Sequence, residues 1–135
     1  MRRILLGKRI LNSAFLVLIL LILGGCVTDM GEQLRDPEPV SADSISSIAI
    51  HARTASFIIS CSVGDPCWRF VRSDYSISGR TIAVTIYARR INAICPAVVV
   101  SIKAPATIVV PSSGSYTFRF WRGGGQTLDT TLTFR

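Results

Sequence analysis

The sequence holds one histidine, His51, and few acids: eight among 135 residues, of which only Asp65, Asp74 and Asp129 lie beyond Ser47. Acid–base chemistry at neutral pH draws on histidines and on carboxylates brought together in pairs. Here the three acids are scattered, and His51 has no positioned acid partner in any familiar motif. Serines and threonines are abundant, but they fall on outward strand positions, which is no setting for an activated nucleophile. Gly123-Gly124-Gly125-Gln126 resembles a phosphate loop only in its glycines; without a following lysine and helix it reads as a turn. No window of helical length carries a 3.6-residue period. No catalytic residue, cofactor or metal is expected from these features.

Also missing is an apolar run of membrane-spanning length, which takes about 20 residues. What stands in its place is shorter. Arg2, Arg3, Lys8 and Arg9 precede Ala14 to Leu23, ten residues without a polar side chain. A basic region followed by a short apolar one is the pattern of a secretory signal. It ends not on a small-x-small site but on Leu23-Gly24-Gly25-Cys26, which resembles the bacterial lipobox. The chemistry explains the motif: small residues let extended backbone enter a peptidase, and the cysteine thiol takes a diacylglycerol. Residues 1–25 are therefore expected to be cleaved, and Cys26 to become a lipidated N-terminus that anchors the chain to a membrane. Val27 in place of an aspartate resembles the sorting pattern for the outer membrane, facing the periplasm or the cell surface.

The overall charge of +7 suggests a nucleic-acid partner until it is divided by region. From Cys26 to Ser46, Arg35 stands against Asp29, Glu32, Asp36, Glu38 and Asp43, leaving −4. From Ser47 to Arg135, ten bases stand against three acids, leaving +7. No nucleic-acid partner is expected for a mature chain of only about +3. Residues 26–46, with Pro37 and Pro39 and few apolar side chains, read as an acidic flexible tether. Residues 47–135 read as the folded domain.

Within that domain the period is two. Ile48 and Ile50, then Ile58, mark two short apolar strands, and Trp68 and Phe70 share a face. After Ser78-Gly79, which signals a hairpin, Ile82, Val84, Ile86 and Ala88 point one way and Thr85, Tyr87 and Arg89 the other. Val98, Val100 and Ile102 align, and a separate short strand is expected after Pro105. Tyr116, Phe118 and Phe120 alternate with Thr117, Arg119 and Trp121, and Leu128, Thr130, Leu132 and Phe134 close the pattern. Seven or eight strands broken by glycine and proline every 8–12 residues or so match an all-β, antiparallel β-sandwich.

Beyond Cys26 there are three cysteines, Cys61, Cys67 and Cys95. An exported chain meets oxidising conditions, so one disulfide and one remaining thiol are expected. Cys67 with Cys95 is the preferred pair, since each sits at a strand rim and the loop between them encloses a whole hairpin. Cys61 with Cys67, across Gly64-Asp65-Pro66, is the competing pair. On the first pairing Cys61 acts as a small apolar residue whose change to serine should be nearly neutral. The three cysteines with His51 would complete a zinc ligand set, but their spacing matches no zinc module.

One group of surface residues stands out. Arg69, Arg72, Arg89 and Arg119, with Tyr87 and Trp121 beside them on solvent faces, form a candidate binding surface for an anionic glycan, lipid headgroups or an envelope protein. Arg90 and Arg122 belong to the same basic set. The plain structural alternative is a solvated strand face whose charges prevent edge pairing.

Gly64 to Phe70, the strand from Thr81 to Arg90, Ile94 to Val99, and the stretches Ser112–Arg122 and Leu128–Phe134 resemble a group of small, mostly uncharacterised bacterial lipoproteins with an immunoglobulin-like β-sandwich. The likeness runs from about Cys61 to Phe134. It implies the sandwich fold and matches Cys67 and Cys95 to that group's recurring cysteines. It implies no catalytic residue.

Two functional readings follow. The first is a membrane-anchored, non-enzymatic binding or structural module of the bacterial envelope. The second is a small envelope hydrolase or inhibitor-like protein acting on a periplasmic target. A pocket lined by His51 and converging carboxylates would favour the second; a shallow sheet face of arginine, tyrosine and tryptophan favours the first.

Overall fold

The computed structural model describes residues 35–135. The expected signal segment 1–25, Cys26 and the first part of the tether lie outside the described residues. The rest is all-β: β1 Glu38–Val40, β2 Ser44–His51, β3 Thr54–Val63, β4 Trp68–Ser78, β5 Thr81–Arg90, β6 Val100–Val109, β7 Gly114–Gly123 and β8 Gln126–Phe134. They form two sheets stacked as a sandwich, one of five strands and one of three.

β5 organises the larger sheet. One edge of it pairs with β4, from Trp68 opposite Arg90 to Ser78 opposite Thr81. Its other edge takes two partners in succession. Thr81–Val84 run parallel to Thr117–Phe120 of β7, and Ile86–Ala88 then run antiparallel to β1, with Glu38 opposite Ala88. β8 returns from β7 and closes that side. The smaller sheet has the order β2-β3-β6, and all of its pairings are antiparallel.

The alternation read from the sequence becomes the core. Ile82, Val84, Ile86 and Ala88 of β5 are buried, as are Tyr116, Phe118 and Phe120 of β7. They meet Phe57, Ile59 and Cys61 from β3 across the sandwich. Phe57 lies opposite Ala106 and Ile59 opposite Ala104, so small β6 side chains leave room for large β3 ones. The Phe57 ring then sits 5.0 Å from Phe118 and 5.1 Å from Phe120 in tilted and edge-on contacts, the geometry that aromatic quadrupoles favour.

Three expectations need correction. The folded unit begins at Glu38, not at Ser47, so the C-terminal part of the expected tether 26–46 belongs to the sandwich. Val40 and Ala42 are buried, the Ala42 N–H donates to the Trp121 carbonyl at 3.0 Å, and the Asp43 N–H donates to the Ser60 carbonyl at 2.9 Å. Two buried side chains and a few backbone bonds suffice to hold this strand, too few to show in the composition of the segment. Second, Pro105 does not separate two strands but sits within β6. β6 is an edge strand, and the Pro105 carbonyl points away from β3 to accept from Ser73 Oγ at 3.1 Å, so the side that lacks an N–H is the side that needs none. Third, Val98 stands exposed before β6, and Ile48 and Ile50 are half-exposed although they lie opposite the core residues Phe57 and Ala55. Their strand is the last in its sheet, and no strand beyond it covers them.

The strand directions gather functionally different segments at opposite ends. One end holds the entry of the chain into β1, the β3–β4 connection, the β5–β6 loop and the β7–β8 turn. The other holds the turns at Ala52-Arg53, Gly79-Arg80 and Pro111–Ser113.

Candidate binding face

β4 begins with Trp68 and Phe70 packed against the core and Arg69 outward, directly opposite Arg89 of β5. Strict alternation would then turn Arg72 into the core. A β-bulge prevents this: the register skips Val71, so Arg72 falls opposite the outward Tyr87 and Ser73 opposite the buried Ile86. A bulge is the ordinary device for re-aiming a side chain in this way. The Arg72 guanidinium lies 4.2 Å from the Tyr87 ring centroid, a cation–π contact, and its Nε sits 2.9 Å from Asp74 Oδ2.

Arg69 and Arg89 differ from Arg72. Among the described residues the ion pairs are Arg72–Asp74, Arg90–Asp65 and Arg119–Asp129, so neither Arg69 nor Arg89 has an acidic partner. Arg69 donates to the Pro66 carbonyl at 2.6 Å and the Trp68 carbonyl at 2.8 Å, which holds its head beside the strand. Like charges directly opposite on a sheet repel. The two arginines thus put like charges at one cross-strand position.

All six expected surface residues face outward from the five-stranded sheet, in two groups. Arg69, Arg72, Tyr87 and Arg89 adjoin one another. Arg119 lies opposite Ala83, four residues back along β5 from Tyr87, which is roughly 13 Å at strand rise. Its charge is engaged by Asp129 at 3.3 Å. Trp121 is half-buried, its backbone carbonyl taken by Ala42. Between the groups runs an open depression lined by Asp74, Tyr75, Ser76, Ala83, Thr85 and Tyr87. Beyond it, hydroxyl pairs Thr117–Thr131 at 3.1 Å and Ser115–Thr133 at 2.7 Å continue the polar surface.

The cysteines are settled by geometry. Cys67 and Cys95 form a disulfide with Cα atoms 5.9 Å apart, and Cys61 is a free thiol in the core. Burial pushes the Cys61 thiol up to about 11, with the negative charge of Asp43 adding to the effect. Full burial also revises the expectation for Cys61→Ser, since a hydroxyl buried without a partner costs about 1–3 kcal/mol. His51 is exposed at the end of β2. The zinc set of three cysteines and His51 is not brought together, because two of the sulfurs are bonded to each other and Cys61 is enclosed.

Asp65 braces the disulfide corner. Its Oδ1 accepts from the Cys67 N–H at 2.8 Å and its Oδ2 from Arg90 Nε at 2.6 Å. The hydrogen bond from Arg90 holds the Asp65 carboxyl below the usual range. Arg90 thus leaves the candidate basic surface and becomes a structural residue.

One cluster has no counterpart in the sequence reading. On the outer face of the smaller sheet, Lys103 Nζ lies 2.5 Å from Ser60 Oγ and 2.8 Å from Ser46 Oγ, and the two hydroxyls are 2.6 Å apart. Ser60 and Lys103 are cross-strand neighbours, and a register shift between Ile45 and Ser47 brings Ser46 in from β2. Alternation alone gives no sign of this meeting. A serine nucleophile needs donors aimed at a developing oxyanion, but strand N–H groups lie in the plane of the ladder, and Lys103 stands exposed in water. The cluster ties three strands together across their hydroxyls.

No family model, no curated protein and no solved structure matches this chain.

Proposed function

We propose that the protein is a lipid-anchored, non-enzymatic binding module of the bacterial cell envelope, attached through Cys26 to the outer membrane. Its sandwich, read as immunoglobulin-like, presents Arg69, Arg72, Tyr87 and Arg89 to an anionic envelope glycan or an acidic protein surface. The observation that carries this reading is the Arg69–Arg89 pair: two arginines in cross-strand register, without an acid among the described residues, beside a tyrosine already stacked on a third. A tyrosine and planar, bidentate donors suit carboxylates and phosphates on a polymer, and an open sheet face suits a ligand longer than itself.

Amide chemical-shift mapping of the labelled protein tests it, with acidic polysaccharide purified from a bacterial envelope as the titrant. Shifts should concentrate at residues 69–72 and 87–89 and shrink as salt rises. Shifts absent from those strands, or unchanged in an Arg69→Glu, Arg89→Glu double variant of native fold, would refute the assignment.

A further inference from the structure

The β5–β6 loop runs Ile91-Asn92-Ala93-Ile94-Cys95-Pro96-Ala97-Val98-Val99, nine residues without a charge and with one polar side chain. Its apolar groups are not folded inward. Ile94 is fully exposed, Val99 is 70% exposed and Val98 51% exposed. Ala93, Pro96 and Ala97 are exposed as well. An uncharged apolar projection of this kind on a small domain marks a contact with something apolar.

The loop is held outward. Cys95 near its middle is bonded to Cys67, which is fully buried at the start of β4, and the Ile91 N–H donates to the Cys67 carbonyl at 3.0 Å. Two internal bonds, from the Ala93 N–H to the Ile91 carbonyl and from the Val98 N–H to the Pro96 carbonyl, satisfy backbone donors, and Pro96 has none to satisfy. Only three of the loop's N–H groups, those of Ile91, Ala93 and Val98, are engaged within the domain, so the backbone stays at the level of the headgroups and their water while the side chains reach further in.

The position of the loop identifies its partner. Glu38 pairs with Ala88, and β1 runs antiparallel to β5, so the residues before Glu38 leave the domain alongside Arg90 and Ile91. Chain entry and apolar loop share one end of the sandwich. If Cys26 carries the lipid, the twelve residues from Cys26 to Pro37 span at most about 43 Å fully extended, and the end they reach is the one that projects Ile94. At the loop base stand Arg69 and Arg89, which pair with each other across the strands, and beside them the entering chain carries the exposed Asp36 and Glu38. An uncharged apolar tip with charged residues behind it matches the order of acyl chains and headgroups met on entering a bilayer.

We infer that the loop Ile91–Val99 rests in the surface of the membrane to which the chain is anchored, with the Ile94 and Val99 side chains at the acyl chains. This inference rests on the lipid-anchor reading. It fixes the orientation of the domain: the strands stand up from the bilayer, and the Arg69–Arg89 pair lies about two residues above it.

The test uses the full, processed chain in vesicles of phosphatidylethanolamine and phosphatidylglycerol, with a benzophenone amino acid at position 94, at position 99, or at Ser112 in the turn at the opposite end. After irradiation, lipid adducts are quantified by mass spectrometry, and the N-terminal peptide is weighed for acyl chains in the same sample. Adducts at 94 and 99 should exceed those at 112 by at least tenfold. Both loop residues are exposed, so these variants keep the fold, and an intact Cys67–Cys95 linkage verifies it. Comparable adducts at all three sites, or adducts to protein in place of lipid at 94, would overturn the inference while an acylated N-terminus leaves the anchor standing. Adducts at 94 with an unacylated N-terminus would support the loop contact and overturn the anchor. Neither adducts nor acylation would overturn both.

Discussion

Removing the disulfide should take away a large share of this domain's stability. Cys67 and Cys95 are 28 residues apart in sequence, and the chain between them includes the whole β4–β5 hairpin. Closing a loop of that length in the unfolded chain removes about 12 cal/mol/K of entropy, or about 3.6 kcal/mol at 25 °C. A domain of this size has a total stability of about 5–15 kcal/mol, so the loss would be a large fraction of it. At about 4–8 °C per kcal/mol, the melting temperature should fall by about 14–29 °C. The right perturbation is the double variant Cys67→Ala, Cys95→Ala, which leaves no unpaired thiol at the corner. The Asp65–Arg90 ion pair and the bond from Ile91 to the Cys67 carbonyl remain to hold β4 and β5 in register. Urea denaturation followed by far-ultraviolet circular dichroism measures the difference. The urea dependence should also steepen, because the unlinked chain exposes more surface when it unfolds. A loss below about 1 kcal/mol with an unchanged slope would mean that the staple does not act through the unfolded state.

Three further changes have signed outcomes. Because the Cys61 thiol is raised to about 11 in the fold, the unfolded chain gives up that proton first, so stability should be full below about pH 8.5 and decline up to pH 11, by about 2–3 kcal/mol in all; Cys61→Ala should remove that decline in pH-dependent denaturation. Ala52 holds φ at 51° in the two-residue β2–β3 turn, so Ala52→Gly should raise stability by about 0.5–1 kcal/mol in the same assay, and a loss would show that the turn is unstrained. Gly114 has the opposite sign: at φ 124° a Cβ would stand 2.6 Å from Arg80 Nη1, whose guanidinium lies over Tyr116 and bonds to the Ser113 carbonyl. Gly114→Ala should therefore cost about 1–3 kcal/mol, and a neutral result would show that Arg80 moves away freely.

Much of the sandwich was legible because one face of each central strand is buried. The β5 run from Ile82 to Ala88 and the β7 run from Tyr116 to Phe120 keep strict alternation, and both fall in the core as read. The hairpin at Ser78-Gly79 is visible because Gly79 takes a φ of 59°. Edges were harder. β1 is three residues long and buries a single side chain, Val40, too little to stand out in an acidic, proline-bearing segment. Pro105 has the look of a strand break in the sequence, since edge position is a property of the sheet and not of the residues beside it. At the candidate face, the outward turn of Arg69, Tyr87 and Arg89 follows from alternation. The place of Arg72 depends on the bulge at Val71, whose sign in the sequence is that alternation from Trp68 would otherwise bury an arginine. The meeting of Ser46, Ser60 and Lys103 needs three strands in register, and no local pattern encodes it.

The most direct test of the binding face is the affinity of the intact protein for acidic envelope polysaccharide, measured calorimetrically at two salt concentrations, for wild type and for Arg69→Ala, Arg89→Ala. Each guanidinium engages the ligand through a charge-assisted contact worth about 1.5 kcal/mol or more, so the double variant should bind at least about a hundredfold more weakly and lose most of its salt dependence while melting at the temperature of wild type or above it. Equal affinity and equal salt dependence in the two proteins would contradict an anion-binding role for this face.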